Sequence, residues 1–359
     1  MKSISRSLLL CGFAVLVALA FAACSPASRG GAESGSAGVT ITGAGSSFVY
    51  PLLSRWVAAF RQTHPNVQIN YQPIGSGGGI LQVKNNTVQF GASDMPLSDA
   101  QLATMPPVVQ LPESGGPVCI TYNLPQLKAP LRLSGDALAG IYLGQIKSWR
   151  DPAIVRANPH VALPNRPILV VHRSDGSGTT NIFTTYLTAV SHAWAQHVGA
   201  GLSVAWPVGL GGKGSAGVTG LVRQTDGAIG YVELTYAQAN QLPVASVQNP
   251  RGEWVAPSQA SATAAISSGA AALARDMRAP IVNEPASGAY PITGLTFLIV
   301  PRDGADRAQR QALKEFIVWI LGPGQSLAGD LNYAPLPPDL ASRGQALLAQ
   351  LRAGGQALP

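Results

Sequence analysis

Four short loops rich in Gly and Ser constrain this chain most, because each lies where a strand is expected to pass into a helix. The loops are GAGSSF (residues 43–48), GSGGG (75–79), GASD (91–94) and RSDGSGT (173–179). Loops of this kind direct backbone N–H groups and hydroxyls toward helix N-termini, where the helix dipole favours an anion. Because the loops also carry Arg173 and Asp94, the pattern predicts a site for a small oxyanion.

Residues 1–23 are typical of a secretion signal. Lys2 and Arg6 precede an apolar run over residues 8–23, and this order of charge and apolarity defines signal peptides. The run is shorter than the ~20 apolar residues that a membrane span needs. We therefore expect the chain to be exported across the cytoplasmic membrane.

The end of this signal predicts a lipid anchor. The tetrapeptide FAAC at residues 21–24 resembles a bacterial lipobox, in which Cys24 is lipidated and becomes the first residue of the mature chain. Ordinary cleavage after Ala20 or Ala22 is the alternative, since both positions end a small-x-small pattern. Residues 24–39 then form a flexible tether of small residues without apolar periodicity.

Removal of residues 1–23 leaves 336 of the 359 residues, more than the ~250–300 at which single cores stop growing. Two domains are therefore expected. Only 11% of residues are charged, against about 25% in ordinary chains. The formal net charge of +7 falls to +5 without Lys2 and Arg6, and the basic residues are scattered. Nucleic-acid binding, which needs a clustered basic face, is not expected.

Cys119 is the only cysteine beyond Cys24 in the mature chain. No disulfide is therefore expected within the mature chain, and the apolar surroundings of Cys119 predict a small buried residue on a strand.

Apolar residues follow a strand-then-helix pattern along the chain, which predicts an α/β fold with a mostly parallel sheet. Ser98 and Gln101 form a capping box before a helix, and the Ala-rich segment 258–278 is predicted to be helical. A second unit of the same type begins near residue 114. Ligands of such sheets bind beyond the carboxyl ends of the strands.

Seven segments, in order, carry a resemblance to a known family. They are TGAGSSF (42–48), IGSGGG (74–79), GASDMPLS (91–98), IYLGQIKSW (141–149), RSDGSGT (173–179), GLGGKG (209–214) and GAIGYVE (227–233). From about residue 41 to near its C-terminus the chain resembles the substrate-binding proteins of bacterial ABC-type phosphate importers.

This resemblance implies a two-lobed periplasmic-binding-protein-like α/β fold of type II, with two hinge crossovers and a ligand cleft between the lobes. Lobe 1 would comprise residues 40–113 and 288–359, and lobe 2 residues 114–287. The protein would bind one dehydrated inorganic phosphate and deliver it to the membrane permease subunits of an ABC importer. It would act as a monomer, without enzymatic activity, cofactor or metal, anchored by lipid in the cell envelope and facing the periplasm or the cell surface.

The resemblance also assigns the phosphate ligands. They are Ser46, Ser47, Phe48, Ser76, Asp94, Arg173, Ser177, Gly178 and Thr179. Asp175 would orient the guanidinium of Arg173 by ion pairing. The family usually has Thr where this chain has Ser47, so the hydroxyl is kept and a methyl group is lost.

The residue chemistry agrees with this assignment. Arg173 offers a planar pair of donors to an oxyanion, and Gly178 allows close approach of the backbone. Asp94 would repel an anion unless that anion has a proton to donate. Phosphate keeps a proton near neutral pH and sulfate does not, so Asp94 would accept from phosphate and reject sulfate.

Other readings of these residues remain open. Ser47 could cap a helix, Ser76 and Asp94 could belong to ordinary turns, and Arg173 with Asp175 could form a surface ion pair. GLGGKG fits the Gly spacing of a dinucleotide site but lacks the acidic residue. The alternative functions are a phosphoester hydrolase, a receptor for sulfate or molybdate, and a structural or signalling lipoprotein.

Overall fold

The computed structural model describes residues 38–359, so the predicted signal peptide, Cys24 and nearly all of the predicted tether lie outside the described residues. The strands are β1 (Val39–Gly45), β2 (Val67–Gln72), β3 (Phe90–Ser93), β4 (Val108–Tyr122), β5 (Arg132–Leu133), β6 (Leu169–Arg173), β7 (Leu210–Gly212), β8 (Ala228–Glu233), β9 (Ser246–Gln248), β10 (Trp254–Val255), β11 (Thr293–Pro301), β12 (Arg352–Ala353) and β13 (Gln356–Ala357).

Helices follow most of these strands. They are α1 (Tyr50–Thr63), α2 (Ser76–Lys84), α3 (Asp99–Leu102), α4 (Gly135–Tyr142), α5 (Pro152–Ala157), α6 (Gly178–Val190), α7 (His192–His197), α8 (Gly214–Gln224), α9 (Leu234–Ala239), α10 (Gln259–Ser268), α11 (Ala270–Arg275), α12 (Arg307–Leu321) and α13 (Pro338–Leu347). Three 3-10 helices lie at Pro323–Leu327, Gly329–Leu331 and Leu348–Gln350.

Eight strands form one sheet in the order β2-β1-β3-β11-β4-β8-β6-β7. The pairs toward both edges are parallel, as predicted, but β11 is antiparallel to β3 and β4, and β4 is antiparallel to β8. The centre of the sheet is therefore antiparallel, because β11 returns from a distant part of the chain and enters between β3 and β4.

A β-bulge interrupts the long ladder between β4 and β11. Thr296 pairs with Ser114 and Phe297 pairs with Pro112, so Glu113 is an extra residue on β4. Bulges re-aim side chains and are common beside functional sites. The first predicted lobe boundary, between residues 113 and 114, falls at this bulge and inside β4.

Helix α1 shows how the apolar pattern positions a site loop. Leu52, Leu53, Trp56 and Phe60 are buried at helical spacing, and Pro51 lies in the first turn, where its missing N–H costs nothing. This buried face fixes the helix against the sheet and presents the loop between β1 and α1 at the carboxyl end of β1.

Two local predictions have different outcomes. The capping box of Ser98 and Gln101 is present at the start of α3. The segment 258–278 is not one helix, because α10 ends at Gly269 and α11 begins after it. Gly stabilises a helix interior poorly, and the Ala-rich composition hid this break.

Residues 38–359 form one compact unit. Cys119 is completely buried on β4, as predicted, and its thiol donates to the carbonyl of Val232. Within this unit, no helix has both the length and the apolarity that a membrane crossing requires.

Candidate functional site

The loop after β1 is held by three tyrosines. Residues 46–48 lead into α1, and each of their three successive carbonyl oxygens accepts a hydrogen bond from a different tyrosine hydroxyl. The pairs are Tyr71 with Ser46 (2.8 Å), Tyr236 with Ser47 (2.8 Å) and Tyr333 with Phe48 (2.5 Å). With the carbonyls occupied in this way, the loop has little freedom to rotate its peptide groups. Sequence reasoning missed these tyrosines, because they lie far from the loop along the chain.

Asp94 follows β3 and lies against this loop. Its carboxylate accepts from the Ser46 hydroxyl at 2.5 Å, and that same hydroxyl oxygen accepts from the N–H of Phe48 at 3.0 Å. Asp94 is 3% exposed. A buried carboxylate needs hydrogen-bond donors or a nearby cation, and Ser46 supplies the first donor.

The site also includes the start of α2. The Ser76 hydroxyl oxygen accepts from the backbone N–H of Asp94 at 3.3 Å and from that of Gly178 at 3.0 Å. The N–H of Gly77 donates to the carbonyl of Gly176 at 2.9 Å. These bonds connect the loop that opens α2 with the loop that opens α6.

Arg173 ends β6 and is paired with Asp175. Its Nε and Nη2 donate to the two carboxylate oxygens at 2.8 and 2.5 Å, and its Nη1 lies 3.5 Å from the Thr179 hydroxyl. The N–H of Gly214 also donates to Asp175. The Arg173 side chain is 2% exposed, so the pair is not the surface ion pair considered above.

Ser177 and Gly178 begin α6. The Ser177 hydroxyl accepts from the N–H of Thr180 at 3.1 Å and thereby caps the helix. A Cβ atom on Gly178 would lie 2.5 Å from Cβ of Asp94 and 2.6 Å from its backbone nitrogen. Gly is therefore required where the helix start meets Asp94.

Ser47 and Phe48 face different surroundings. The Ser47 hydroxyl lies 2.9 Å from that of Ser215 and accepts from the N–H of Ser215 at 3.1 Å. Ser47 does not cap α1, whose N-cap is Val49. The Phe48 ring is buried edge-on against Tyr333. Ser215 was missed by sequence reasoning, although the GLGGKG segment directly before it was an available signal.

All nine predicted ligands are thus buried and lie in one neighbourhood, together with Asp175. The loops that carry them come from the carboxyl ends of β1, β3 and β6 and from the starts of α2 and α6. Donors predominate in the neighbourhood: a guanidinium, several hydroxyls and the N-terminal turn of α6. Such a set can bind an oxyanion, with Asp94 as the exception that accepts a proton.

Burial controls the charge of Asp94. It raises the pKa of Asp94 to about 6, although hydrogen bonds with Ser46, Thr296 and Thr179 and the charge of Arg173 lower it. The pKa of Asp175 is lowered, because the ion pair with Arg173 and the N–H of Gly214 outweigh its partial burial. Both groups are therefore anionic at neutral pH, and Asp94 retains acceptor capacity there.

A cavity of about 250 Å³ adjoins Asp94. Its walls include Asn181, Thr185 and Arg278, but apart from Asp94 they include none of the predicted ligands. Among residues 38–359, no group of three or more His, Cys, Asp or Glu side chains is arranged to hold a metal ion.

Comparison with known proteins identifies the family. The profile of the PBP superfamily domain matches residues 30–323. The chain belongs to the PBP superfamily. Within it, the chain is 47% identical to the phosphate-binding protein PstS of Xylella fastidiosa strain Temecula1, over 87% of this chain and 85% of that protein. It is 43% identical to the phosphate-binding protein PstS of Haemophilus influenzae, over 84% and 90% of the two chains.

Solved structures give the same fold. A high-affinity periplasmic phosphate-binding protein (PfluDING), bound with phosphate at pH 8.5, superposes with a TM-score of 0.70 at 25% identity, over 89% of this chain and 99% of that one. An ABC-type phosphate transport receptor from Vibrio cholerae superposes with a TM-score of 0.53 at 18% identity, over 83% and 100%. The predicted two-lobed α/β fold of this superfamily is thus confirmed, as is the family resemblance. The names of these relatives and structures are those of phosphate-binding and phosphate-transport proteins.

Proposed function

We propose that this protein is a receptor for inorganic phosphate outside the cytoplasmic membrane and that it delivers phosphate to an ABC-type permease. The observation that carries the proposal is the buried Asp94 carboxylate within a set of donors that includes Arg173. A carboxylate in such a set suits an anion that still has a proton to donate. Relatives called phosphate-binding proteins, at 43–47% identity, support the same ligand.

The proposed ligands are the nine residues predicted from the sequence. Arg173 would donate to phosphate oxygens through Nη1, while Asp175 holds Nε and Nη2 and fixes the plane of the guanidinium. Ser47, Ser76, Ser177 and Thr179 would contribute hydroxyls. The backbone N–H groups of Phe48 and Gly178 donate to the Ser46 and Ser76 hydroxyls in this structure, and they would turn to the ion on binding, as at other anion sites at helix starts.

The proposed lobes are residues 40–113 with 288–359, and residues 114–287. Hydrogen bonds join these two segments at the site: Ser47 with Ser215, Ser76 with Gly178, and Gly77 with Gly176. Closure of the two lobes would remove phosphate from water and create the surface that the permease recognises. We also propose a monomer with a lipid anchor at Cys24 and no catalytic role.

Titration calorimetry tests the proposal. Protein stripped of carried-over phosphate is titrated with inorganic phosphate at neutral pH, and then again in the presence of excess sulfate. We expect one-to-one binding that sulfate does not displace. Folded protein that fails to bind phosphate, or that binds sulfate equally well, would contradict the proposal. Arg173→Ala is the companion variant, and we expect it to weaken phosphate binding by about a hundredfold, because the buried cation and its charge-assisted Nη1 donor are lost.

A further inference from the structure

A second buried carboxyl, Glu113, lies behind Asp94, and the proposed phosphate site does not use it. Glu113 is completely buried. It is the extra residue of the β-bulge between β4 and β11, and bulges re-aim the side chain they carry. A buried carboxylate is costly unless it is paired, hydrogen-bonded or protonated. The position of Glu113 close to the proposed ligand Asp94 therefore needs a physical explanation.

Thr296 connects the two carboxyls. Its hydroxyl donates to Oε1 of Glu113 at 3.1 Å. Phe297 pairs with Ser93 across β11 and β3, so Thr296 lies opposite Asp94 in the sheet, and its hydroxyl lowers the pKa of that carboxyl. Oε2 of Glu113 is buried and has no hydrogen-bond partner within residues 38–359. Glu113, Thr296 and Asp94 therefore form a short line of hydrogen-bonding groups that ends at the site.

The groups that face this line decide its charge. Asp94 and Tyr71 interact electrostatically with Glu113, and Arg173, Tyr236 and Tyr333 interact electrostatically with Asp94. No cation faces Glu113 among these groups. The elements packed against β4 carry further titratable groups that do not face Glu113, among them Glu233 on β8 and Arg343 on α13, which donates to the carbonyl of Leu273.

We propose that Glu113 is a positioning residue which, in its neutral form and through Thr296, holds the Asp94 carboxylate as the proton acceptor of the site. This inference rests on the proposed phosphate function and adds a residue to it. Burial supports the neutral form: it raises the pKa of Glu113 to about 8, with a further increase from the charge of Asp94 against a decrease from the Thr296 bond.

The order of donors explains the effect. A neutral Glu113 donates its O–H to the oxygen of Thr296, which then donates its own O–H to Asp94. Asp94 is thereby kept ionised and keeps acceptor capacity for the proton of phosphate. When Glu113 ionises, it instead accepts the Thr296 proton. Asp94 loses a donor and gains a neighbouring negative charge, so the site binds an anion less well.

The expected signature is a loss of phosphate affinity as pH rises through about 8. Inorganic phosphate passes through its second ionisation near neutral pH and keeps one proton above it, so only the change in affinity above about pH 8 is assigned to Glu113. Tyr71 and Tyr236 do not titrate there, because burial raises their pKa values well above the range. The added negative charge of ionised Glu113, close to Asp94 and to the bound anion, is expected to weaken phosphate binding by about tenfold or more.

The test measures the phosphate affinity of the full chain by calorimetry from about pH 7 to about pH 10. In the wild type, affinity should fall through the upper half of this range. Glu113→Gln stays neutral and retains a donor to Thr296, so its affinity should not fall above about pH 8 as that of the wild type does. Glu113→Leu fills a similar volume but removes the donor, so it should bind phosphate more weakly at every pH. Higher affinity in Glu113→Gln than in Glu113→Leu would then be due to the hydrogen bond and not to the volume of the side chain.

Glu233→Gln is the matched control. Glu233 is equally buried, burial raises its pKa to about 8 as well, and it does not contact Thr296. This variant should keep the alkaline loss of affinity. An alkaline loss that survives in Glu113→Gln, or that disappears in Glu233→Gln instead, would overturn the inference. Wild-type protein that does not bind phosphate at pH 7 would instead contradict the proposed function itself.

Discussion

Asp94 is the residue expected to select between anions, because its neighbours leave its carboxylate able to accept one further hydrogen bond. Ser46 donates to it, Gly178 lies against it, and Arg173 supplies a cation without pairing directly with it. An anion without a proton would face a buried lone pair that nothing satisfies, and an unmade buried hydrogen bond is costly. Rejection of sulfate is therefore expected to depend on this one carboxylate.

Asp94→Asn should relax that rejection. The amide carries no charge and can donate an N–H to a sulfate oxygen, so we expect sulfate affinity to rise by about tenfold or more. Phosphate affinity should fall, because the acceptor of its proton is lost. Calorimetry with each anion at neutral pH measures both changes.

Asp99→Asn is the control for this change, because Asp99 pairs with Arg278 at the surface with a side chain that is 86% exposed. It should leave the preference between phosphate and sulfate unchanged. Complete exclusion of sulfate by Asp94→Asn would show that another feature of the site does the discrimination.

The sequence predicted candidate ligands that the structure brings together, but not the residues that support them. Short motifs carry the predicted ligands, because Gly, Ser, Asp and Arg must occur at fixed spacing where strands end. Thr296 and Glu113 could not be predicted in this way, and Ser215 was missed although it directly follows the GLGGKG segment. Their importance comes from strand pairing and a bulge that bring distant positions together, and no local pattern records such a contact.

At the scale of elements, the starts of α2 and α6 approach each other without intervening side chains. Gly77 donates to Gly176, and a Cβ on Gly77 would lie 3.1 Å from Cα of Gly176. Gly75 has φ +90°, and a Cβ there would lie 2.2 Å from Oδ2 of Asp175. Glycines at these positions allow two helix N-termini to share one small site.

Gly178→Ala tests this close approach. Its Cβ would overlap the backbone and Cβ of Asp94, so the start of α6 must move away from Asp94. Since Ser76 and Gly178 are also joined by a hydrogen bond, we expect phosphate affinity to fall by about tenfold or more, a cost of roughly 1.4 kcal/mol at least. Calorimetry of the variant and urea unfolding measure affinity and stability separately.

Gly220→Ala is the matched control. Gly220 lies inside α8, and a Cβ there would meet no atom within 4 Å. This variant should keep its phosphate affinity and gain about 0.5–1 kcal/mol of stability, because Ala favours a helix interior. If Gly178→Ala behaves in the same way, the contact between α6 and Asp94 does not limit binding.

The strand-then-helix order along the chain was predictable, since apolar periodicity is a local property. The antiparallel centre of the sheet was not, because β11 pairs with residues of β4 and β3 that lie 176 to 208 positions earlier in the chain. The break at Gly269 was visible in the sequence. It was missed because the Ala-rich flanks on both sides favour helix and dominated the reading of segment 258–278.

At the scale of the whole molecule, buried acids at and near the site make the stability of the fold depend on pH. Glu113 and Glu233 are completely buried and Asp94 nearly so. Burial raises the pKa of Asp94 from 3.8 to about 6 and that of each glutamate from 4.5 to about 8. The folded protein therefore holds protons that the unfolded chain releases. Stability contributed by these groups is fully present below their ordinary pKa values and is lost as pH rises through the raised ones.

We therefore expect the free energy of unfolding, measured by urea in phosphate-free buffer, to fall between about pH 5 and about pH 8. Each pKa unit is worth about 1.4 kcal/mol, so each glutamate contributes roughly 3 kcal/mol of this fall. Asp175 and Asp276 act in the opposite direction, because their pKa values are lowered. Both groups change protonation only below about pH 4, so they do not affect the change in stability between about pH 5 and about pH 8.

The double variant Glu113→Gln with Glu233→Gln should flatten most of this slope, because both amides stay neutral at every pH. Glu253→Gln is the control: Glu253 lies at the surface with a side chain that is 36% exposed, and hydrogen bonds from Gly288, Asn249 and Ser287 lower its pKa to about 2. Its replacement should leave the slope between the two pH values unchanged. A wild-type stability that stays constant or rises over this interval would mean that the buried acids are ionised in the folded state at little cost. Glu113 would then not be held neutral beside the site.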